Sequence, residues 1–153
     1  MRIERTQDVA LIKSVLTHPS IYPFISDDGS PSAEEFDPSG LAQHPMVYFL
    51  AAVTETGVGA VWMLHAINSF TYEVHTCVLP EFRGQTTEAA KAVAVWMFEN
   101  TNCKKIITHV PSYNRLALKL AERVGMEHEG VNRKSWFKDG LVYDQYVLGL
   151  CKE

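Results

Sequence analysis

Val78-Leu79-Pro80-Glu81-Phe82-Arg83-Gly84-Gln85-Thr86-Thr87-Glu88-Ala89-Ala90 is the stretch that decides how this chain folds. The apolar run that leads into it predicts a strand, Pro80 and the Arg83-Gly84 pair predict a turn, and the residues after Gln85 begin a long apolar helix. The first amides of a helix lack partners within the helix, and its N-terminus carries partial positive charge. This layout is therefore typical of a loop that holds a phosphate group.

The composition limits the class of protein. A chain of 153 residues predicts a single domain, residues 1–153, and 46% hydrophobic with 21% charged residues is usual for a soluble globular protein. The net charge of -4 and the scattered Lys and Arg predict no nucleic-acid partner. No apolar run has the length of a membrane span or the pattern of a signal peptide, so we expect no membrane partner and a cytoplasmic location.

The cysteines and histidines show no metal-binding pattern along the chain. Cys77, Cys103 and Cys151 form no CxxC pair, and their odd number favours reduced thiols. The six histidines lack an HExxH or other paired-ligand spacing. The sequence therefore predicts no metal site.

The apolar pattern predicts alternating strands and helices. Strands are expected at 2–5, 46–53, 58–67, 70–79, 105–110, 135–137 and 141–150. Helices are expected after a Thr6 cap, after a Ser32/Glu35 capping box, at 87–100 and at 114–124, with 87–100 apolar enough to be largely buried. This order predicts an α/β (α+β) fold with a central mixed, mostly antiparallel sheet flanked by helices on both faces.

Three segments at matching spacing resemble the GNAT N-acetyltransferases, most closely the ribosomal-protein N-terminal acetyltransferase branch. They are Glu73–Gly84, Thr87–Ala90 and Asn114–Met126, and Glu129-Gly130-Val131 and the Asp139-Gly140 turn follow them. The predicted element order is also that of the GNAT fold. The resemblance implies acetyl transfer from acetyl-CoA, as co-substrate, to a primary amine by direct attack. The amine acceptor, a small molecule or a protein, is the implied partner.

The coenzyme loop departs from the family pattern. Aligned without a gap, Thr86 and Glu88 stand where the family has glycines; aligned on Thr86-Thr87-Glu88-Ala89, the loop is two residues shorter. Glycines let the backbone approach phosphate closely or adopt positive φ, and Thr and Glu do neither well. The alternative hypothesis is therefore a GNAT-fold protein with a degenerate coenzyme loop that acts as a non-catalytic binding or structural module.

The resemblance also implies the coenzyme contacts. Strand amides around Cys77 and Val78 would bond the pantetheine arm. The pyrophosphate would meet the loop residues Arg83, Gly84, Gln85, Thr86 and Thr87. Asn114 matches an asparagine that meets the coenzyme arm in the family, and an ordinary helix N-cap is the equally open alternative.

The chemistry needs a base that removes a proton from the amine. Glu73 matches the strand glutamate that often serves as this base, and His109 on the neighbouring predicted strand is the reserve candidate, because an imidazole exchanges protons near neutral pH. His75 shares a strand face with Glu73 and is a weaker candidate. For all three, a structural role is the alternative. Ala121 stands where many relatives carry a tyrosine acid.

The acceptor surface is expected at 18–45, which is rich in Asp and Glu, and at 132–140. Clustered carboxylates attract an ammonium group, although solvated surface charge is the commoner reason for such a run. Trp136 and Phe137 fit a pocket wall, a homodimer interface or ordinary hairpin packing.

Overall fold

The computed structural model describes residues 1–153. The strands are β1 (Arg2–Arg5), β2 (Val47–Thr54), β3 (Gly57–Ala66), β4 (Thr71–Val78), β5 (Lys105–Pro111), β6 (Glu127–Lys138) and β7 (Leu141–Cys151). The helices are α1 (Val9–Leu16), α2 (Tyr22–Ile25), α3 (Ser39–Gln43), α4 (Thr86–Asn100) and α5 (Arg115–Val124), and Pro80–Gln85 forms a 3-10 helix that runs directly into α4.

All seven strands form one sheet in the order β1-β2-β3-β4-β5-β7-β6. Every neighbouring pair is antiparallel except β4 and β5. The parallel pairing runs only from Thr71 opposite Lys105 to Glu73 opposite Ile107. Beyond these residues the two strands diverge, and we call this opening the notch.

Helices cover both faces of the sheet, as the sequence predicted. Period-two alternation sends one set of strand side chains toward α4 and α5 and the other set toward α1 to α3. The first face buries Leu50, Trp62, Leu64, Tyr72, Val93, Met97 and Leu148 among others. The second buries Ile12, Val15, Leu16, Phe49, Val61 and Cys77 among others. The predicted fold class is confirmed.

The caps of the longer helices follow from local side-chain chemistry. Asp8, rather than the predicted Thr6, caps α1, because its carboxylate accepts a hydrogen bond from the Leu11 amide at 3.1 Å. The Asn114 side chain accepts from the Ala117 amide at 3.2 Å and so begins α5. Gly125 ends α5 with φ of 101°, a conformation that glycine adopts without strain.

The short helix predicted after Ser32 is wrong. The Glu35 amide donates to the Ser32 hydroxyl at 3.2 Å, as in a capping box, and the Ser32 hydroxyl donates to the Glu35 carboxylate at 2.8 Å. They stabilise only a turn, and the helix of this region is α3, which begins directly after Pro38. A proline lacks the amide that an ongoing helix needs but suits a helix start, so the residue expected to stop a helix precedes one instead.

Two further expectations needed correction. Helix α4 buries only the stripe Ala89, Val93, Ala94 and Met97, and Val95 is half exposed. Strand β6 begins at Glu127, not Ser135, with irregular register between Asn132 and Trp136. It is a largely exposed edge strand, so it lacks the apolar alternation that predicts a strand.

No helix has the length and apolar character needed to cross a membrane.

Candidate active site

The notch opens into a cleft of about 510 Å³ that passes from one face of the sheet to the other. Its walls come from both diverging strands, from α4 and α5, from the loop after α2 and from β6. The residues that line it include Asp27, Trp62, Glu73, Val74, His75, Thr76, His109, Asn114 and Trp136. Diverging strands leave unpaired backbone groups at their facing edges, which a bound ligand can satisfy.

Backbone groups of β4 face the notch at alternate residues. The Leu79 amide donates to the Gly59 carbonyl at 3.0 Å, and Cys77 lies opposite Val61 in the same ladder. Alternation therefore directs the backbone of Cys77 to β3 and that of Thr76 and Val78 to the notch. Of the two residues predicted to contact pantetheine, Val78 directs its backbone to the notch, whereas Cys77 directs its backbone to β3.

Glu73 lies at the point where the strands diverge and is surrounded by three imidazoles. Its Oε1 accepts a hydrogen bond from Nδ1 of His109 at 2.8 Å. Its Oε2 lies 3.5 Å from Nε2 of His75 and 3.6 Å from Nε2 of His65. All four side chains are on the sheet face that α1 to α3 cover. The structure therefore brings together the two predicted catalytic residues, Glu73 and His109.

The charges and burial of Glu73 and the three histidines shift the pKa values of Glu73 and His75. Burial raises the pKa of Glu73, but His65, His75 and His109 together outweigh it and lower that pKa to about 2. The pKa of His75 is lowered, chiefly by burial, although Glu73 opposes that change. A carboxylate this acidic is a weak proton acceptor. Because an ionised carboxylate only accepts hydrogen bonds, Nδ1 of His109 carries the proton of this bond and Nε2 is the ring nitrogen left for another partner.

Asn114 has its predicted N-cap role and also lies at the cleft. It caps α5 through its side-chain oxygen and also lines the cleft. Its amide group is therefore held by the helix start next to the cleft.

The predicted pyrophosphate contacts, Arg83, Gly84, Gln85, Thr86 and Thr87, lie outside this cleft. In the 3-10 helix each amide after the first turn bonds to the carbonyl three residues before it. The Thr86 amide and hydroxyl also donate to the Arg83 carbonyl, the hydroxyl at 2.9 Å. The loop thus offers few open amides to an anion in this conformation.

Sequence reasoning missed Trp62, Thr76 and His65. Trp62 is 1% exposed, it lines the cleft, and its indole Nε1 has no hydrogen-bond partner. Nothing in the apolar run 58–67 marks it as different from a core residue. His65 lies directly opposite Glu73, so knowledge of the β3–β4 register would have found it.

The acceptor side was predicted only in part. Among the acidic residues of 18–45, Asp27 lines the cleft, and Asp28 instead accepts the amides of Asp139 and Gly140, both at 2.8 Å. Trp136 lines the cleft and donates to the Tyr113 hydroxyl at 2.9 Å, and Phe137 lies half exposed outside it.

Solved acetyltransferase structures share this architecture. The spermidine N-acetyltransferase of Vibrio cholerae, solved with CoA and spermine, is 18% identical with a TM-score of 0.82, over 97% of this chain and 94% of that chain. The ribosomal-protein-S5-alanine acetyltransferase of Vibrio fischeri is 16% identical with a TM-score of 0.78, over 99% and 92%. The protein therefore has the GNAT acetyltransferase fold.

Sequence comparison places the chain more narrowly. Residues 24–142 match the family described as "Protein of unknown function (DUF2824)", and the protein belongs to this family. A curated relative, the uncharacterized N-acetyltransferase YnaD of Bacillus subtilis (strain 168), is 24% identical over 98 residues. That match covers 63% of this chain and 58% of the relative, so this chain aligns with less than two thirds of the relative's length.

Proposed function

We propose that residues 1–153 form one acetyltransferase domain that moves an acetyl group from acetyl-CoA to a primary amine. The observation that carries this proposal is the cleft at the notch, where the Glu73–His109 pair lies beside strand backbone without a strand partner. An acyl thioester bound along β4 would place its carbonyl next to that pair. A base and a held acyl group are the two requirements of direct transfer.

Three features support a coenzyme in the cleft. Thr76 and Val78 direct backbone groups to the notch, where a pantetheine amide would continue the ladder. The buried Trp62 Nε1 lacks a partner, and a ligand oxygen would remove the cost of that unpaired donor. Asn114 adds a side-chain amide at the start of α5.

The proposed reaction needs no covalent enzyme intermediate. The amine nitrogen attacks the thioester carbonyl carbon, and a C–N bond forms as the carbonyl oxygen takes negative charge. Nε2 of His109 accepts the amine proton, and Glu73 stabilises the resulting imidazolium through Nδ1. Collapse of the tetrahedral intermediate breaks the C–S bond, and the coenzyme thiolate takes up the proton that the His109 imidazolium releases.

The amine acceptor is proposed to enter beside Asp27 and Trp136. A carboxylate at the cleft favours an ammonium group, and an aromatic face also attracts cations. The similar Vibrio cholerae structure contains spermine, which is an amine of this class. A small amine and a flexible protein N-terminus both satisfy this chemistry.

One observation favours a second candidate, the non-catalytic GNAT-fold module. Of the amides expected to hold pyrophosphate, those inside the 3-10 helix and that of Thr86 bond to carbonyls three residues before them. A protein that never binds coenzyme has no need to keep these amides open. Under this proposal the cleft serves another ligand or none.

Calorimetric titration with acetyl-CoA separates the two candidates. The acetyltransferase predicts saturable 1:1 binding and thermal stabilisation by the coenzyme. Pantetheine alone, which lacks the pyrophosphate, serves as a matched ligand and tests how much the loop contributes. Absence of heat and of stabilisation at millimolar acetyl-CoA would contradict the enzyme and leave the module.

A further inference from the structure

We propose that His65, Glu73 and His75 form a binding site for a first-row divalent metal ion, with Zn²⁺ as the preferred ion. The site shares Glu73 with the proposed acetyltransferase, but the inference rests on ligand geometry alone. It therefore stands whether or not the protein binds coenzyme.

The three donor atoms lie at the separations that a tetrahedral ion requires. Nε2 of His65 and Nε2 of His75 are 3.2 Å apart, and Glu73 Oε2 lies 3.6 Å and 3.5 Å from them. Zinc–nitrogen and zinc–oxygen bonds of about 2.0–2.1 Å at tetrahedral angles place ligand atoms about 3.3 Å apart. The separations of the three atoms thus match one face of a coordination tetrahedron.

The sheet holds these side chains in place. Glu73 and His75 are two residues apart on β4 and so share a face, and His65 lies opposite Glu73 on β3. The two imidazole rings are stacked, with centroids 5.3 Å apart and an interplanar angle of 16°. Ligands on paired strands are positioned more rigidly than ligands on loops. This arrangement explains why no metal spacing is visible along the sequence.

The donor set selects the type of ion. Two imidazoles and one carboxylate suit zinc and its first-row neighbours, whereas Mg²⁺ and Ca²⁺ prefer oxygen ligands only. Glu73 accepts from His109 through its other oxygen, at 2.8 Å, which is the outer hydrogen bond that commonly orients a metal-binding carboxylate. Three protein ligands leave a fourth position for water or for a ligand in the cleft.

The test uses the full-length protein, free of affinity tag and stripped with chelator. Cys151→Ser is present in every variant, because this exposed thiol is a competing zinc ligand. Titration with ZnCl₂ is expected to show one site per chain. Addition of CoCl₂ instead is expected to give the intense visible absorption of tetrahedral cobalt.

Single substitutions identify the ligands. His65→Gln and His75→Gln are each expected to weaken zinc binding by more than about 100-fold, since even outer-shell partners contribute about 10–100-fold. His128→Gln, which removes an exposed imidazole distant in the sheet, is the matched control and should bind as before. Circular dichroism of each variant checks that it is folded. The two ligand variants change residues on different strands, so the test remains valid if only one of them folds.

Two results would overturn the proposal. One is the absence of stoichiometric zinc and cobalt binding, which would leave the three side chains joined by a shared hydrogen bond alone. The other is an equal loss of affinity in the His128→Gln control, which would mean that the ion binds elsewhere on the surface.

Discussion

The surroundings of Glu73 determine its pKa and therefore which role it and His109 can each have. Three imidazoles hold its carboxylate in the ionised form, with a pKa of about 2. A group so reluctant to take a proton orients a partner better than it serves as a base. For the proposed reaction we therefore assign the role of base to His109 and a positioning role to Glu73.

Substitution of this pair distinguishes the two roles. His109→Gln is expected to lower kcat by about 10²–10⁴-fold, the usual contribution of a general base, with coenzyme affinity preserved. Glu73→Gln should lower kcat less, because its amide oxygen still accepts from Nδ1 of His109. Steady-state kinetics and calorimetry measure both quantities, and His128→Gln controls for loss of an imidazole. A larger loss in Glu73→Gln than in His109→Gln would return the base role to Glu73.

Trp62 offers a second test at a single side chain. Trp62→Phe removes the unpartnered indole N–H, and we expect acetyl-CoA affinity to fall about 2–10-fold, which corresponds to one neutral hydrogen bond. Trp96→Phe, on α4 and outside the cleft, is the matched control. Equal affinities of the two variants in calorimetry would mean that the indole makes no bond to the coenzyme.

Part of this site was predictable from residue order. Glu73, His109 and Asn114 were identified because family motifs fix their positions, and the structure places all three at the cleft. Their roles stay predictions. His65 and Trp62 were missed because their significance depends on strand register and on a missing hydrogen-bond partner, and neither is visible in a single strand sequence.

At the scale of elements, the last hairpin is tied to the loop after α2. Lys138 Nζ donates to the carbonyls of Pro23 and Ser26 at 2.6 Å and 2.8 Å. Asp28 accepts from the amides of Asp139 and Gly140, and its own amide donates to the Phe137 carbonyl. We call these contacts the hairpin clasp.

The clasp should weaken in acid. The amides of Gly140 and Asp139 hold the pKa of Asp28 below the ordinary aspartate value of 3.8, so the ionised form is favoured in the folded protein. Stabilisation is therefore complete above that value and is lost as pH falls through the lowered pKa. NMR of the Asp139 and Gly140 amides should follow this titration, and Asp28→Asn should abolish it. An Asp28 carboxyl that titrates at or above 3.8 would contradict the assignment.

The 3-10 helix is anchored to the sheet by Phe82. This ring is 3% exposed and packs against Gly59, where an added Cβ would overlap it. We expect Gly59→Ala to destabilise the protein by about 1–3 kcal/mol, as overpacking of a core does. Gly84→Ala, in the same 3-10 helix with open space around it, should change stability by less than about 0.5 kcal/mol. Urea denaturation measures both, and equal midpoints would refute the anchor.

At the scale of the whole molecule, the notch divides the sheet into two parts. Strands β1 to β4 form one part and β5 to β7 the other, joined by only three facing residue pairs. A coenzyme that pairs with β4 should slow hydrogen exchange at the Thr76 and Val78 amides and leave Cys77, already bonded to β3, unchanged. Uniform protection of all three amides would argue against strand-like binding.

Most of this architecture could be predicted because apolar periodicity and turn residues are local. All seven strands and the two long helices were found within a few residues, apart from β6. The predicted start of β6 was wrong because an exposed edge strand has little apolar alternation, and because its pairing with β7 decides its length. The prediction for the region of α3 was wrong because the restricted backbone of Pro38 outweighs the local cap at Ser32, so that the helix begins only after Pro38.

The hairpin clasp has a consequence for the size of the acceptor. The three residue pairs join the two parts of the sheet on one side of the cleft, and the clasp joins the loop after α2 to the β6–β7 turn on the other. Both connections border the cleft that holds the Glu73–His109 pair. For the proposed reaction we therefore expect a narrow acceptor, such as a linear polyamine or the first few residues of an unstructured chain, to reach this pair more readily than a folded protein surface does.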